Sequence, residues 1–222
     1  MDTYKSFRDL TVADFVSQLA SGEPVPGGGS AAAIAGSLGA ALVAMVASLS
    51  EGRPRYAEHK ALLAESKAAA LELADRFLAL ADEDAAAYGG FGVAMKMPRE
   101  TDEEKAARTD AIRAAARAAS DAPFRTVQAC LEFVALAEAL AGRSNRNASS
   151  DLEVSSLMAV AASHAAAANV FVNLPAIGDE EAAQDLLART QSLVDQLARL
   201  AAHTRETVRS GEPREPLVAP AG

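Results

Sequence analysis

Several groups of residues have types and spacings that could do chemistry. The first is Gly27-Gly28-Gly29-Ser30, preceded by Pro24-Val25-Pro26 and followed by a run to Ser50 that carries no charge. Two prolines set an extended approach, and three glycines make a side-chain-free turn into a helix. The uncovered amides at such a helix start bind an anion or a carbonyl, and the missing side chains permit close approach. The same residues also fit a sharp turn into a crowded helix. No lysine of a nucleotide-binding glycine loop is present and no strand precedes, which argues against a nucleotide.

Asp84 is the second candidate. An apolar stripe runs Leu73, Phe77, Leu80, Asp84, Tyr88, Phe91 at steps of three or four, so a carboxylate stands where a core hydrophobe is expected. Burying it charged and alone would cost several kcal/mol, roughly, so it must be paired, protonated or turned into a pocket. A desolvated carboxyl of that kind suits proton transfer, while a hydrogen bond to a neighbouring helix is the structural alternative. Asp82 lies about 200° around the helix from Asp84 and cannot easily share its pocket. Asp151 is a further acidic candidate, although Ser150-Asp151-Leu152-Glu153 has the spacing of a capping box and explains its acid by structure alone.

Asn169 and Asn173, four apart, place two amides on one face of an otherwise apolar helix. Arg53, Arg55, Lys96, Arg143 and Arg146 fall near expected turns; of these, Arg55 and Lys96 are the candidates to hold an anionic tail of a ligand. His59, His164 and His203 show no paired ligand spacing, and Cys130 is alone, so neither a metal site nor an intrachain disulfide is expected.

The elements that must position these groups are helices. The chain has 222 residues, half of them apolar and only 5% aromatic, with alanine supplying much of the apolar half. No long β-branched alternation demands a sheet. The patterning predicts one all-α bundle of about seven helices over residues 1–210, with a loose tail over 211–222. A short helix is expected from Thr11 to Ala20, then a central Ala/Gly-rich helix from Ser30 to Ser50, buried on all sides. The next spans Arg55 to Tyr88 or beyond, and another runs from the Thr101–Glu104 capping box to about Ser120. Pro123 is expected to open a separate helix closed by Gly142. The last two end before Pro175 and near Arg209. The uncharged run is long enough to span a membrane, but its small residues and missing aromatic anchors favour a bundle core over a membrane span. A net charge of −9 opposes nucleic-acid binding. Met1-Asp2-Thr3-Tyr4-Lys5 lacks the design of a secretion signal, so cytoplasm is expected.

Together these segments resemble a known family. Pro24-Val25-Pro26-Gly27-Gly28-Gly29-Ser30-Ala31-Ala32-Ala33 is similar to a characteristic block of the formiminotetrahydrofolate cyclodeaminase/methenyltetrahydrofolate cyclohydrolase family. Gly52-Arg53-Pro54-Arg55-Tyr56, Asp82-Glu83-Asp84-Ala85-Ala86-Ala87-Tyr88, Met97-Pro98-Arg99-Glu100-Thr101, Asn145-Arg146-Asn147-Ala148-Ser149-Ser150-Asp151 and Asn169-Val170-Phe171-Val172-Asn173 resemble its later blocks in order. The likeness spans roughly residues 7 to 209. It departs at Ala86, where the family carries Glu, and at Arg99, which stands for Lys.

The resemblance implies an all-helical homodimer that opens or closes a one-carbon bridge on tetrahydrofolate. Asp84, Asp82 and Asp151 are then the catalytic candidates. Pro26, Gly27, Gly28, Gly29, Ser30, Arg55, Lys96, Asn169 and Asn173 become candidates for substrate binding. The chemistry needs a positioned acid or base and no metal or redox cofactor. Ala86 keeps open a second expectation, a family-fold dimer that binds folate or a partner without turning it over.

Overall fold

The structure, a computed structural model, describes residues 6–217. The first five residues, with the segment expected to lack a secretion signal, and tail residues 218–222 lie outside the described residues. Among those described there is no strand. A 3-10 turn, Phe7–Asp9, leads to α1 (Val12–Leu19), α2 (Gly28–Ser50), α3 (Lys60–Met95), α4 (Asp102–Leu140), α5 (Ser149–Asn173) and α6 (Glu180–Ser210). Further 3-10 turns occupy Pro54–His59, Arg146–Ala148 and Leu174–Ala176.

The central position of α2 follows from its small residues. It packs against α3, α5 and α4. Gly36 and Gly39 let two aromatic rings reach its backbone: a Cβ on Gly36 would lie 2.5 Å from the Phe77 ring, and one on Gly39 would lie 2.8 Å from the Phe133 ring. The two rings meet edge to face at 5.7 Å. Both are fully buried, each contributing roughly 2–3 kcal/mol through apolar burial. Cys130 lies in the same core, and burial pushes its thiol far up. Although α2 is long and apolar enough to cross a membrane, 56% of its most apolar window is buried against the other helices. Leu38, Met45 and Leu49 of α2 remain at the surface, as do Val154 and Leu157 of α5, which packs against α2.

Three helix boundaries differ from expectation. Pro123 does not open a helix but lies inside α4, which runs unbroken from its Thr101–Glu104 capping box to Leu140. Tertiary packing of a buried proline outweighs its local preference, so one helix stands where two were expected, and the described residues hold six α-helices, close to the about seven expected. Likewise α3 begins at Lys60, because Tyr56, at φ −115° and ψ 18°, interrupts the turn that Pro54 opens. The capping box expected at Ser150–Glu153 does not form. Ser149 already stands in the first turn of α5, and Glu153 instead receives the Arg209 guanidinium, with Nε at 3.0 Å. The stretch after Gly211 is irregular but tied down. The Arg214 amide donates to the Gly142 carbonyl at 2.9 Å, and its guanidinium donates to Glu138 Oε1 at 2.7 Å.

Candidate active site

Gly27 is the N-cap of α2 in extended conformation, so the helix begins with Gly28, Gly29 and Ser30. The first amides of any α-helix have no carbonyl partner within it. What faces them here is the carboxylate of Asp84, projected from α3 across the top of α2. A Cβ on Gly29 would stand 2.5 Å from Asp84 Cγ and 2.6 Å from Oδ2, so only glycine admits that carboxylate. Gly28 is far less constrained: a Cβ there would meet Asn169 Nδ2 at an ordinary 3.6 Å.

Ser30 completes the pairing. Its hydroxyl lies 3.0 Å from Asp84 Oδ2 and 3.1 Å from the Ala81 carbonyl oxygen, and its amide also bonds the carboxylate. One hydroxyl proton thus has two acceptors. It can donate to Asp84 when the carboxylate is ionised, or to Ala81 while accepting from a protonated Asp84. Both protonation states are served without moving the backbone. Burial pushes the Asp84 carboxyl above its ordinary range, and the Ser30 hydroxyl and amide pull it partly back. Such a group takes up a proton more readily than an exposed carboxylate, which suits it to proton transfer.

The carboxylate lies in an open cleft of about 340 Å³. Pro24, Val25 and the three glycines form one wall, and Tyr88 and Phe91, one and two turns beyond Asp84 on α3, form another. Asn169, Val172 and Asn173 of α5 and Ala119 of α4 complete it. Pro26, which follows a cis Val25–Pro26 bond, is buried and does not line the cleft. This combination offers amide donors, a proton carrier and aromatic faces for a flat ring.

Other candidates are elsewhere. Asp82 faces the amino-terminal segment, where its carboxylate accepts from the Ser6 hydroxyl and from the Phe7 amide at 2.9 Å, so it caps a turn. Asp151 is 18 residues before Asn169 on α5, about 27 Å along the helix, and cannot reach the same cleft within one chain. Arg55 follows the far end of α2 and lines a different cleft with Tyr56, His59 and Arg146. Lys96 is the C-cap of α3, exposed and about 18 Å along the helix from Asp84, at the correct end of the molecule but outside the cleft wall. Ala86 is exposed and does not line the cleft. Sequence reasoning did not single out Tyr88, Phe91, Ala119 or Val172 as site residues. The two aromatics were legible as the continuation of the Asp84 stripe, whereas Ala119 and Val172 carry no signal of their own.

Comparison with known proteins gives the family and the fold. The formiminotransferase-cyclodeaminase family model matches residues 11–192. The methenyltetrahydrofolate cyclohydrolase of Methylorubrum extorquens is 38% identical over 200 residues, covering 90% of this chain and 96% of that protein. The formimidoyltransferase-cyclodeaminase of Gallus gallus is 32% identical over 75% of this chain, which matches 31% of that longer protein. In fold, the chain superposes on the formiminotetrahydrofolate cyclodeaminase of Thermotoga maritima with a TM-score of 0.82. That match covers 91% of this chain and 98% of the other at 22% identity. By the extent of these matches, the chain belongs to the formiminotransferase-cyclodeaminase family.

Proposed function

We propose that this chain is a folate one-carbon enzyme acting on the 5,10-methenyl bridge of tetrahydrofolate, and that its reaction is hydrolysis of that bridge to 10-formyl-tetrahydrofolate. The observation that carries the reading is Asp84. It is a desolvated carboxyl that shares a proton donor with Ser30 at a glycine helix start, in a chain that matches nearly the whole of a methenyltetrahydrofolate cyclohydrolase. The cationic methenyl carbon lies between N5 and N10. Ionised Asp84 offsets that positive charge and accepts a proton as water adds to the carbon. The proton then passes to N5, the N5–carbon bond breaks as the hydroxyl on that carbon gives up its own proton to solvent, and the formyl group stays on N10. Neither a metal nor a redox cofactor takes part.

The cyclodeaminase reaction is the second reading, favoured by the chicken relative. There N10 attacks a formimino carbon on N5, and protonated Asp84 would supply the proton with which ammonia departs. Purified protein mixed separately with 5,10-methenyl- and 5-formimino-tetrahydrofolate distinguishes them. Methenyl absorbance falls in the first mixture for a cyclohydrolase and rises in the second for a cyclodeaminase. Ligand binding with neither change would leave a non-catalytic folate-binding dimer.

The assembly is proposed to be a cytoplasmic homodimer. Its support is the exposed apolar side chains of two packed helices, Leu38, Met45 and Leu49 on α2 and Val154 and Leu157 on α5. Light scattering at micromolar concentration should give twice the chain mass. A monomer, or partition into membranes, would overturn this part of the reading.

A further inference from the structure

The proline inside α4 changes what the neighbouring helix can offer a ligand. Pro123 has no amide hydrogen, so the Ala119 carbonyl four residues earlier lacks its helical donor. That residue lines the Asp84 cleft, and the donor it receives is the side chain of Asn173, with Nδ2 at 3.2 Å. The same Nδ2 donates to the Asn169 carbonyl at 2.9 Å. Carbonyls only accept, so the end of the amide facing them must be the NH2 group, and both its hydrogens are engaged. Asn169 is held in the same sense, its Nδ2 donating to the Ala165 carbonyl at 2.8 Å. Among the described residues, neither Asn Oδ1 receives a hydrogen bond, and both side chains line the cleft. Two locked acceptors on one helix face call for a ligand edge with adjacent N–H donors.

We infer that Asn173, held in orientation by the carbonyl that Pro123 frees, is a specificity-determining residue that reads the donor edge of the substrate's reduced pterin, its N3–H and 2-amino group. This rests on the folate reading above. Asn173 is the contact and Pro123 the positioning residue, acting only through it.

Isothermal titration with tetrahydrofolate and with its 2-desamino-2-methyl analogue tests the assignment. Wild type should prefer tetrahydrofolate by about tenfold, the worth of one well-placed neutral hydrogen bond. Asn173→Ala should lose that preference, binding tetrahydrofolate about tenfold more weakly and the analogue unchanged. Pro123→Ala favours helix and should fold. By returning a helical donor to Ala119 it loosens Asn173, so it should lose part of the preference and raise KM about threefold with kcat unchanged. A purely structural proline would leave the preference intact. Equal binding of both ligands by wild type, or an intact preference in Asn173→Ala, overturns the inference while the folate reading stands. Failure of wild type to bind tetrahydrofolate overturns both.

Discussion

The two ends of α2 carry similar residues put to opposite uses. At its carboxyl-terminal end, Ser50 donates to the Val46 carbonyl at 2.7 Å and accepts from the Asn145 amide at 2.8 Å. Asn145 in turn donates to the Leu49 carbonyl at 3.3 Å and accepts from the Asn147 amide at 3.1 Å. Each side-chain oxygen and nitrogen of that pair has a partner within the chain. At the amino-terminal end, Ser30 has two acceptors for one proton, Asp84 is desolvated, and Asn169 and Asn173 keep an acceptor free. A buried serine or asparagine is therefore not a site by type. It becomes one when its neighbours leave part of its hydrogen-bonding capacity open.

The largest effect that could break this contrast comes from Asp84→Asn. Turnover should fall at least about a hundredfold with folate binding largely kept, the low end of acid–base contributions. Thermal stability at neutral pH should rise. The folded pKa of Asp84 is raised, so its cost to the folded state grows as pH increases through the interval above its unfolded value, and Asn does not titrate. Normal turnover in this variant would remove the proton carrier from this end of the molecule. Ser50→Ala should do the converse, leaving kcat unchanged while exposing the Asn145 amide to an unmet bond worth about 1–3 kcal/mol in a denaturation curve.

Next in size is the pair Gly29→Ala and Gly28→Ala. The first forces the Asp84 carboxylate aside and should lower turnover by about tenfold or more, whereas the second meets only ordinary contact and should change it by less than about threefold. Equal effects would show that flexibility of the turn, and not room for the carboxylate, is what the glycines provide. Ser30→Ala should move the acidic limb of kcat/KM to higher pH, because the hydroxyl bond that favours the ionised form is gone. A shift to lower pH would assign that limb to another group. The smallest expected effect is that of Arg55→Ala on KM. Within one chain Arg55 belongs to the opposite end, so KM should not move. A rise would mean that a second copy lays its Arg55 end over the Asp84 cleft.

Much of this contrast was legible in the residues. The stripe from Leu73 to Phe91 placed Asp84 where a hydrophobe belonged, and the glycines before Ser30 marked a helix start with room above it. What the stripe could not show was the partner that fills that room, because Gly29 and Asp84 meet only through tertiary packing. The separation of Arg55 and Asp151 from the site needed only helix length: α2 and α5 each span more than 30 Å, so groups at opposite ends cannot converge. Pro123 misled for a different reason. Its local preference was read correctly, but the donor that compensates it, Asn173, lies 50 residues later on another helix.

The aromatic clamp on α2 bears on motion. Phe77 and Phe133 sit over Gly36 and Gly39, three residues and just under one helical turn apart, and interlock with each other. Sliding α2 along its axis by one residue, or rotating it, would drive a Cβ into a ring. The helix that presents the first-turn amides is thus a fixed anvil, and its register with α3 is the register of Gly29 with Asp84. Any opening that admits a ligand falls to the cleft's other walls: the Pro24–Val25 approach and the exposed Tyr88 side chain.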